Sequence, residues 1–318
     1  MEPVRKIEAD TKEYQTDVVL LKNCPLCKSN NTTPIKSEKN QFYGNEHPEV
    51  LVFDKVWVQL LRCDDCSFAF CKEIPSSPTF FQNRYDNHHF DPEAEVGHVR
   101  KSEIVDEIFN TFAENGVDSG KLLDIGSFAG QLLRNAEEKG FEPHGAELNP
   151  KLAKFTKEKL GYNVFQGEFQ KLDIEGENFD AITIIDVLEH LVDPMQVIET
   201  ISKGLRSGGL AYIKVPNYPM QILKQNVANI LGISPQGVFA TFAHINHFSI
   251  RSVEKALERV GMELVMVSSA KSEKWHNKKS LYWLRNIFRY SYLKSSVLLY
   301  KLTGISIALN HNFLARKK

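Results

Sequence analysis

A short apolar strand that leads through a glycine-containing turn into an amphipathic helix constrains this chain more than any other segment. Residues 121–133 read Lys-Leu-Leu-Asp-Ile-Gly-Ser-Phe-Ala-Gly-Gln-Leu-Leu. Gly126 and Gly130 allow turn dihedrals and a close approach to a ligand, and the helix presents unpaired N–H groups at its start. The segment predicts a cradle for a nucleotide cofactor, although an ordinary strand-turn-helix connection has the same pattern.

The acidic residue at the strand tip narrows the choice of cofactor. The carboxylate of Asp124 would repel a pyrophosphate but attract the cationic amino group of an amino-acid-like cofactor. S-adenosylmethionine (SAM) therefore fits this turn better than NAD. Residues 123–130 resemble motif I of the class I SAM-dependent methyltransferases, apart from Phe128, where those enzymes usually carry a third glycine. The resemblance implies cofactor contacts from Asp124, Gly126, Ser127 and Gly130.

The next strand and the loop after the third strand supply further cofactor-binding candidates. Glu147 follows Asp124 at close to the roughly 20-residue spacing at which an acid meets a ribose diol in a βαβ unit. Leu148, beside it, is assigned to the same site. The resemblance places contacts to adenine at Glu168 and Phe169, although Glu168 would be equally unremarkable as a solvated loop acid.

A third motif lies at the end of the most apolar strand, which is suited to the middle of a parallel sheet. The segment from Asp186 to Pro194 resembles the post-strand-four motif of the same family, with Glu-His followed by Asp-Pro. Asp193 and Pro194 read as a helix start, so Glu189 and His190 fall at the carboxyl edge of the sheet, where ligands bind. Catalytic base, substrate contact or brace of the loop all remain open for this pair.

The segment after the fifth strand supplies a second candidate base. Residues 217–248 read as an irregular insertion, of the kind that shapes the substrate pocket in the resembled family. His244 lies near its end and is the second candidate, whereas His247 reads as a packing or capping residue. The predicted helix that follows begins at Ser249 and ends at Gly261.

Two Cys-x-x-Cys pairs near the N-terminus predict a structural metal site. Four thiolates suit a tetrahedral Zn²⁺ and leave no open position for a substrate. A redox pair and unligated cysteines are the alternatives. Residues 50–53 and 56–61 are expected to form a hairpin that delivers the second pair. The predicted zinc ligands are Cys24, Cys27, Cys63 and Cys66.

The alternation of strands and helices predicts an α/β fold. The resemblance implies a Rossmann-like seven-stranded methyltransferase sheet with an antiparallel last strand, together with a small zinc-ribbon-like subdomain. The predicted divisions are an N-terminal segment (1–20), the zinc subdomain (21–74), a linker or lid (75–100) and the methyltransferase domain (101–318).

Charge is concentrated in the C-terminal part of the chain. From residue 271 onward eleven Lys and Arg residues face one acid, Glu273. Residues 274–304 predict a basic amphipathic helical region, which would pack on the domain or contact a membrane peripherally. An anionic partner would meet this region first. The expected location is the cytoplasm, since neither a signal peptide nor a spanning segment is evident.

The resemblance implies a SAM-dependent methyltransferase, and the zinc region and basic tail favour a carbohydrate or nucleotide-linked sugar as the acceptor. O-methylation of a small aromatic or quinone is the alternative, because the Glu189-His190 segment is similar to that of ubiquinone-type O-methyltransferases. Nucleic acid is a weaker choice, because no aromatic stacking module accompanies the basic tail. From another class, a fold that binds partners without catalysis also remains open.

Overall fold

The computed structural model describes residues 3–6, 17–39, 56–75, 80, 102–232, 244–270 and 306–318, with 291–292, 295–296, 299 and 302–303 between the last two ranges. In chain order the elements are β1 (Pro3–Lys6), β2 (Asp17–Leu20), β3 (Thr32–Lys39), β4 (Trp57–Cys63), β5 (Ala69–Cys71), β6 (Glu73–Pro75), α1 (Ser102–Glu114), β7 (Gly120–Ile125), α2 (Gln131–Glu138), β8 (Phe141–Glu147), α3 (Pro150–Lys159), β9 (Asn163–Gln166), β10 (Phe179–Ile185), α4 (Pro194–Gly204), β11 (Leu205–Pro216), α5 (Tyr218–Ile230), β12 (Asn246–His247), α6 (Ile250–Arg259), β13 (Met262–Ser269) and β14 (Asn310–Lys317).

A seven-stranded sheet carries the predicted methyltransferase fold. Its strands lie in the order β13-β14-β11-β10-β7-β8-β9. The strands from β11 to β9 pair in parallel, whereas β14 is antiparallel to both β11 and β13. The predicted Rossmann-like sheet with an antiparallel last strand is therefore confirmed. The sheet order reverses between β7 and β10, which places their carboxyl ends at the edge where such folds bind ligands.

Local sequence signals start the helices that flank this edge. The side chain of Asn149 accepts hydrogen bonds from the backbone N–H groups of Lys151 and Leu152 at the start of α3. Asp193 caps α4 in the same way, and Pro194 occupies the first turn. Ser249 opens α6 with a reciprocal capping box. These caps satisfy backbone donors that have no partner within a helix, and those at Asp193 and Ser249 lie where the sequence predicts helix starts.

The N-terminal part of the chain forms two further sheets. One is four-stranded, in the order β12-β5-β4-β3, and the other joins β1, β2 and β6. β4 pairs with β3 and β5, and residues 50–53, the predicted hairpin partner of residues 56–61, lie outside the described residues. The predicted N-terminal segment (1–20) contributes two strands, β1 and β2, which pair with each other. β2 also pairs with β6, near the end of the predicted zinc subdomain.

The predicted irregular insertion (217–248) is largely ordered where it is described. Tyr218–Ile230 forms the helix α5, and β12 pairs antiparallel with β5 of the four-stranded sheet. Pro219 lies in the first turn of α5, where proline is tolerated because its missing N–H has no partner there. The insertion therefore connects the edge at the carboxyl ends of the central strands to the N-terminal sheet.

A single buried cluster extends across both regions. It includes Leu26, Phe68 and Phe70 of the cysteine region together with Phe248 and Leu257 beside α6. The rings of Phe68 and Phe248 meet edge to face, with their centroids 4.9 Å apart. The cysteine region therefore shares its apolar core with the methyltransferase sheet.

Several predictions fall on other parts of the chain. The linker or lid (75–100) lies outside the described residues except for Pro75 and Phe80, and the basic region (274–304) is described only at a few helical positions. Among the helices that the structure describes, none combines the length and the apolar character needed to cross a bilayer.

Candidate functional site

The glycine turn between β7 and α2 has the backbone geometry of a ligand cradle. Gly126 and Gly130 have φ angles of 84° and 81°, in the left-handed region that other residues rarely adopt. A Cβ at Gly126 would lie 2.5 Å from the side chain of Val187, and one at Gly130 would lie 2.9 Å from Thr156. The turn therefore requires glycine at both predicted positions.

Phe128 adopts the same left-handed conformation without being a glycine. Its φ is 49°, which is a strained value for a bulky side chain. The structure thus explains why a glycine is usual at this position of motif I. Ser127, next to it, is buried, and its hydroxyl has no hydrogen-bond partner within the described part of the chain.

Asp124 and Glu147 lie on neighbouring strands at this edge. Thr183 on β10 donates a hydrogen bond of 2.6 Å to the buried carboxylate of Asp124. The carboxylate of Glu147 accepts the backbone N–H of Phe128 and that of Asn149, each at 2.8 Å. Burial raises the pKa of Glu147, and the backbone N–H groups oppose that shift. Both acids are held in place by neighbouring elements before any ligand binds.

The remaining cofactor candidates lie along the same side. Leu148 is half-buried and packs on the central core, and Phe169 is buried in a short 3₁₀ turn (Phe169–Lys171). Glu168, just before it, forms a 2.7 Å ion pair with Lys171 and keeps 42% of its side chain exposed. The predicted adenine side thus combines an apolar residue with an exposed acid.

The end of β10 holds a second group of polar residues. Asp186 is exposed, has a φ of 55°, and pairs with the buried ammonium of Lys214 on β11 at 2.5 Å. Sequence reasoning missed Lys214. A lone lysine within the apolar part of β11 (residues 211–216) could have indicated it, because a buried charge requires a partner of opposite charge nearby.

Glu189, His190 and His244 converge beside Asp186. The rings of His190 and His244 have centroids 4.9 Å apart and stand at 70° to each other. One ligand atom from each of the three side chains lies within 4.8 Å of the others. Glu189 is fully buried, and burial together with the charge of Asp186 raises its pKa well above the usual range. The three predicted catalytic residues therefore meet although they come from separate segments.

Asn246 explains how the two segments are joined. Its side-chain amide donates to the carbonyl oxygens of Leu188 and Leu191, at 3.0 and 2.5 Å. These bonds fix the short turn that carries Glu189 and His190 to β12, two residues from His244. His247, also on β12, is buried, and burial lowers its pKa to about 3. It therefore stays neutral and packs, as its sequence position indicates.

The four cysteines form a compact cluster. The Sγ atoms of Cys24 and Cys66 lie 3.7 Å apart, those of Cys27 and Cys63 lie 3.4 Å apart, and all four are within 4.8 Å of one another. Tetrahedral Zn–S bonds of about 2.3 Å place sulfur atoms about 3.8 Å apart. Each Cys-x-x-Cys pair, here called a knuckle, is followed by the same backbone turn. Lys28 follows the first pair and Ser67 the second, and their φ angles are 65° and 62°. The donor set and spacing fit a tetrahedral metal ion.

Without a cation the thiols of Cys27 and Cys66 favour the protonated form. Burial is the largest cause that raises the pKa of Cys27 to about 11, and the neighbouring thiols contribute. The pKa of Cys66 is raised further, first by its hydrogen bond with Cys24 and then by burial. A metal ion would supply the positive charge that stabilises four thiolates in this setting.

Comparisons with known proteins agree with this geometry. A family model described as a methyltransferase domain matches residues 96–267, more than half of the chain. The chain is 28% identical over 137 residues to a ubiquinone biosynthesis O-methyltransferase of Nitrosomonas europaea, in a match that covers 41% of this chain and 56% of that protein. A protein of the same name from Idiomarina loihiensis is 25% identical over 157 residues, covering 46% of this chain and 65% of the relative.

A solved structure shows the same fold. Magnesium protoporphyrin IX methyltransferase from Synechocystis PCC 6803, with bound S-adenosylhomocysteine, matches with a TM-score of 0.52 and 14% identity, covering 76% of this chain and all of that one. The sequence relatives are matched over only 56% and 65% of their lengths. With the sheet order, the glycine turn and the family match all in agreement, the chain belongs to the methyltransferase-domain family of class I SAM-dependent methyltransferases.

Proposed function

We propose that the protein transfers the methyl group of SAM to a hydroxyl group of a small aromatic or quinol-type acceptor. The observation that carries this proposal is the convergence of His190 and His244 at the same sheet edge as the glycine turn. The sequence relatives named as ubiquinone biosynthesis O-methyltransferases support it. They favour the alternative function predicted from sequence over carbohydrate methylation.

The residues around the glycine turn fit a SAM molecule. In this proposal Asp124 receives the cationic amino group of the methionine moiety, while Gly126, Ser127 and Gly130 bring backbone against it. Glu147, already held by two backbone N–H groups, retains lone pairs for the ribose hydroxyls. Leu148, Glu168 and Phe169 flank the adenine side, and Asp186 lies at the methyl side. SAM supplies an electrophilic methyl group on a sulfonium.

The acceptor side then needs a group that takes a proton from a hydroxyl. An imidazole has a pKa near 6.5 and a phenol near 10, whereas an aliphatic hydroxyl is far less acidic. His190 or His244 can therefore deprotonate a phenolic hydroxyl during attack much more readily than a sugar hydroxyl. Lys214 neutralises Asp186 and keeps the edge from repelling a developing phenolate.

We also propose that Cys24, Cys27, Cys63 and Cys66 hold a structural Zn²⁺. The compact sulfur cluster and the repeated knuckle turns support it. With four thiolates the ion has no open position, so its contribution is to the stability of the N-terminal sheet. Metal analysis of the purified protein tests this assignment, and less than about half an equivalent of zinc would contradict it.

Cofactor binding is the first test of the function. Isothermal titration of the full chain should detect SAM and S-adenosylhomocysteine, and Asp124→Asn should weaken SAM by roughly tenfold through loss of a charge-assisted contact. Asp173→Asn, in an exposed loop, is the matched control. Failure of both ligands to bind would leave only a fold without the activity.

Acceptor specificity is the second test. Labelled SAM should transfer its methyl group to a catechol or quinol panel and not to nucleotide sugars. His190→Ala and His244→Ala should lower the rate by about 10²- to 10⁴-fold, the range of a lost general base, with SAM affinity unchanged. Transfer to nucleotide sugars alone would favour the carbohydrate class instead.

A further inference from the structure

Glu189 has a buried carboxyl group that would be stabilised by a nearby positive charge. It is 1% exposed, and its Oε2 has no hydrogen-bond partner within the described residues. The nearest cation, Lys214, is engaged by Asp186 at 2.5 Å. A buried acceptor without a partner loses its solvation and gains nothing in return. Such a group in a native structure requires an explanation, and a bound ion is one that the neighbouring side chains can be tested for.

Two imidazoles stand where a shared ligand would lie. His190 and His244 are half-buried, come from different elements and converge to within 4.8 Å of the Glu189 oxygen and of each other. Ligand atoms bound to one ion at about 2.1 Å lie roughly 3–4 Å apart, so small side-chain rotations bring all three into range. Asn246 fixes the turn that carries Glu189 and His190 to β12. The three groups are therefore held in place from two sides.

We propose that Glu189, His190 and His244 bind a divalent transition-metal ion at the acceptor edge, as a site separate from the four cysteines. Two imidazoles with one carboxylate suit Zn²⁺, Mn²⁺, Fe²⁺ or Co²⁺ and not Mg²⁺ or Ca²⁺, which prefer oxygen ligands. Three protein ligands leave open positions on the ion, in contrast to the closed four-thiolate set. Such open positions would be available to an acceptor bound at this edge of the sheet.

This site deepens the proposed function and rests on it for its role. A hydroxyl bound to the ion loses its proton more readily, so an acceptor with two adjacent oxygens, such as a catechol, would bind as its anion. The phenolate oxygen then forms a bond to the methyl carbon while the carbon–sulfur bond of SAM breaks. The electron pair goes to sulfur, which becomes a neutral thioether, and the hydroxyl proton leaves to water. With the ion bound, His190 and His244 act on the acceptor through the ion and not as free bases, so the ion replaces them as the group that activates the hydroxyl. The ion carries one net positive charge after Glu189 binds, which matches an anionic acceptor.

Cobalt titration of the full, zinc-loaded chain tests the site directly. Wild type should bind one further Co²⁺ per chain, with visible d–d bands but without the intense near-ultraviolet thiolate band that cobalt at the cysteines would give. Glu189→Gln, His190→Ala and His244→Ala should each weaken this binding at least roughly tenfold. His144→Ala is the matched control and should leave the titration unchanged, because His144 lies on β8 and its ring contacts Glu142 of the same strand and Asn163 of β9.

The outcomes separate the metal site from the proposed function. Absence of saturable cobalt binding to the zinc-loaded chain, or cobalt binding that survives all three ligand substitutions, overturns the site. Glu189→Gln preserves side-chain volume, and circular dichroism with SAM titration reports whether each variant is folded. If removal of the second ion leaves catechol methylation unchanged, the catalytic role of the ion is wrong while the methyltransferase proposal stands. If SAM fails to bind, the function fails, yet the cobalt titration still reports on the site.

Discussion

Phe128 occupies a backbone conformation that suits glycine, at the centre of the cofactor cradle. Its φ of 49° is positive, and such strain typically costs on the order of 1 kcal/mol for a residue with a side chain. We expect Phe128→Gly to bind SAM equally or more tightly and to change stability by no more than about 1 kcal/mol, since the added chain entropy of glycine offsets the relief of strain. Isothermal titration and thermal unfolding measure both effects.

Phe128→Ala is the matched control for that substitution. Alanine removes the ring but keeps the unfavourable conformation, so it should be the less stable of the two variants. A large loss of SAM affinity in both variants would show that the ring itself forms part of the pocket. The identity of this residue was evident from sequence as a departure from motif I, but the strain it carries depends on a dihedral that no spacing pattern reveals.

Glu147 gives a pH-dependent prediction. Burial raises its folded-state pKa above the ordinary value of 4.5, so its contribution to stability is present below that value and is lost as pH rises through the folded-state pKa. Glu147→Gln should therefore flatten the pH dependence of stability over that window. It should also weaken SAM by about tenfold above the folded-state pKa, where the carboxylate is ionised, and by less at lower pH.

The control for Glu147 lies on the same strand. Glu142 is largely exposed, with 64% of its side chain accessible, and Glu142→Gln should leave both pH profiles unchanged. Equal SAM affinity of wild type and Glu147→Gln across the pH range would contradict the role in ribose binding. Sequence spacing indicated this residue as a candidate, whereas its backbone partners Phe128 and Asn149 became evident only from the folded loop.

At the level of elements, the knuckles and β12 act together. The backbone N–H of Cys71 donates to Ile245 at 2.9 Å, Ser249 donates to Ser67, and Arg251 donates to Asp65. We expect Cys24→Ser to lower the bound zinc below about half an equivalent and to raise the acceptor KM, because β12 loses its partner sheet and His244 its fixed position. SAM affinity should change little, since β7, β8 and the glycine turn belong to the central sheet.

Cys71→Ser is the control for the knuckle substitution. Cys71 is buried but lies outside the four-sulfur cluster, so its replacement should retain the metal. Inductively coupled plasma mass spectrometry gives the zinc content, and steady-state kinetics gives the acceptor KM. Full zinc content in Cys24→Ser would refute the assignment of that ligand, and unchanged acceptor KM after zinc loss would refute the coupling through β12.

Sequence patterns predicted elements with local signals better than elements that depend on distant partners. The caps at Asn149, Asp193 and Ser249 are read within a few residues, and the helices begin there. In contrast, β3 was missed as the partner of β4, because pairing between strands far apart in sequence has no local marker. Helix α5 was missed because residues 217–248 were interpreted as one irregular insertion, although Pro219 lies in the first turn of the helix, where proline is tolerated.

At the scale of the whole molecule, one continuous buried cluster extends across the predicted boundary between the zinc subdomain and the methyltransferase domain. Phe68 packs on Phe248, the guanidinium of Arg259 donates to Leu26, and Lys28 forms an ion pair with Asp193. The exposed ion pair contributes little, but each large apolar side chain buried in this contact is worth about 1.5–3 kcal/mol. The seven-stranded sheet with an antiparallel last strand was predicted, through the resemblance of the motifs at strand ends to a known family.

This shared core leads to a prediction for a shortened chain. A variant that begins at residue 96, where the family match starts, would expose Phe248, Val253 and Leu257 to water. The free energy lost with several such contacts would be a large fraction of a typical free energy of unfolding, which is about 5–15 kcal/mol. We therefore expect the shortened chain to unfold at a clearly lower temperature than the full chain, or to aggregate, and to expose apolar surface that binds a hydrophobic dye.

A matched variant of the full chain, Phe68→Ala, should lose about 3–5 kcal/mol of its free energy of unfolding through the same contact. Equal unfolding temperatures for the shortened and full chains would instead show that the methyltransferase sheet is independent of the cysteine region, and the apolar contact between Phe68 and Phe248 would then contribute little to the fold.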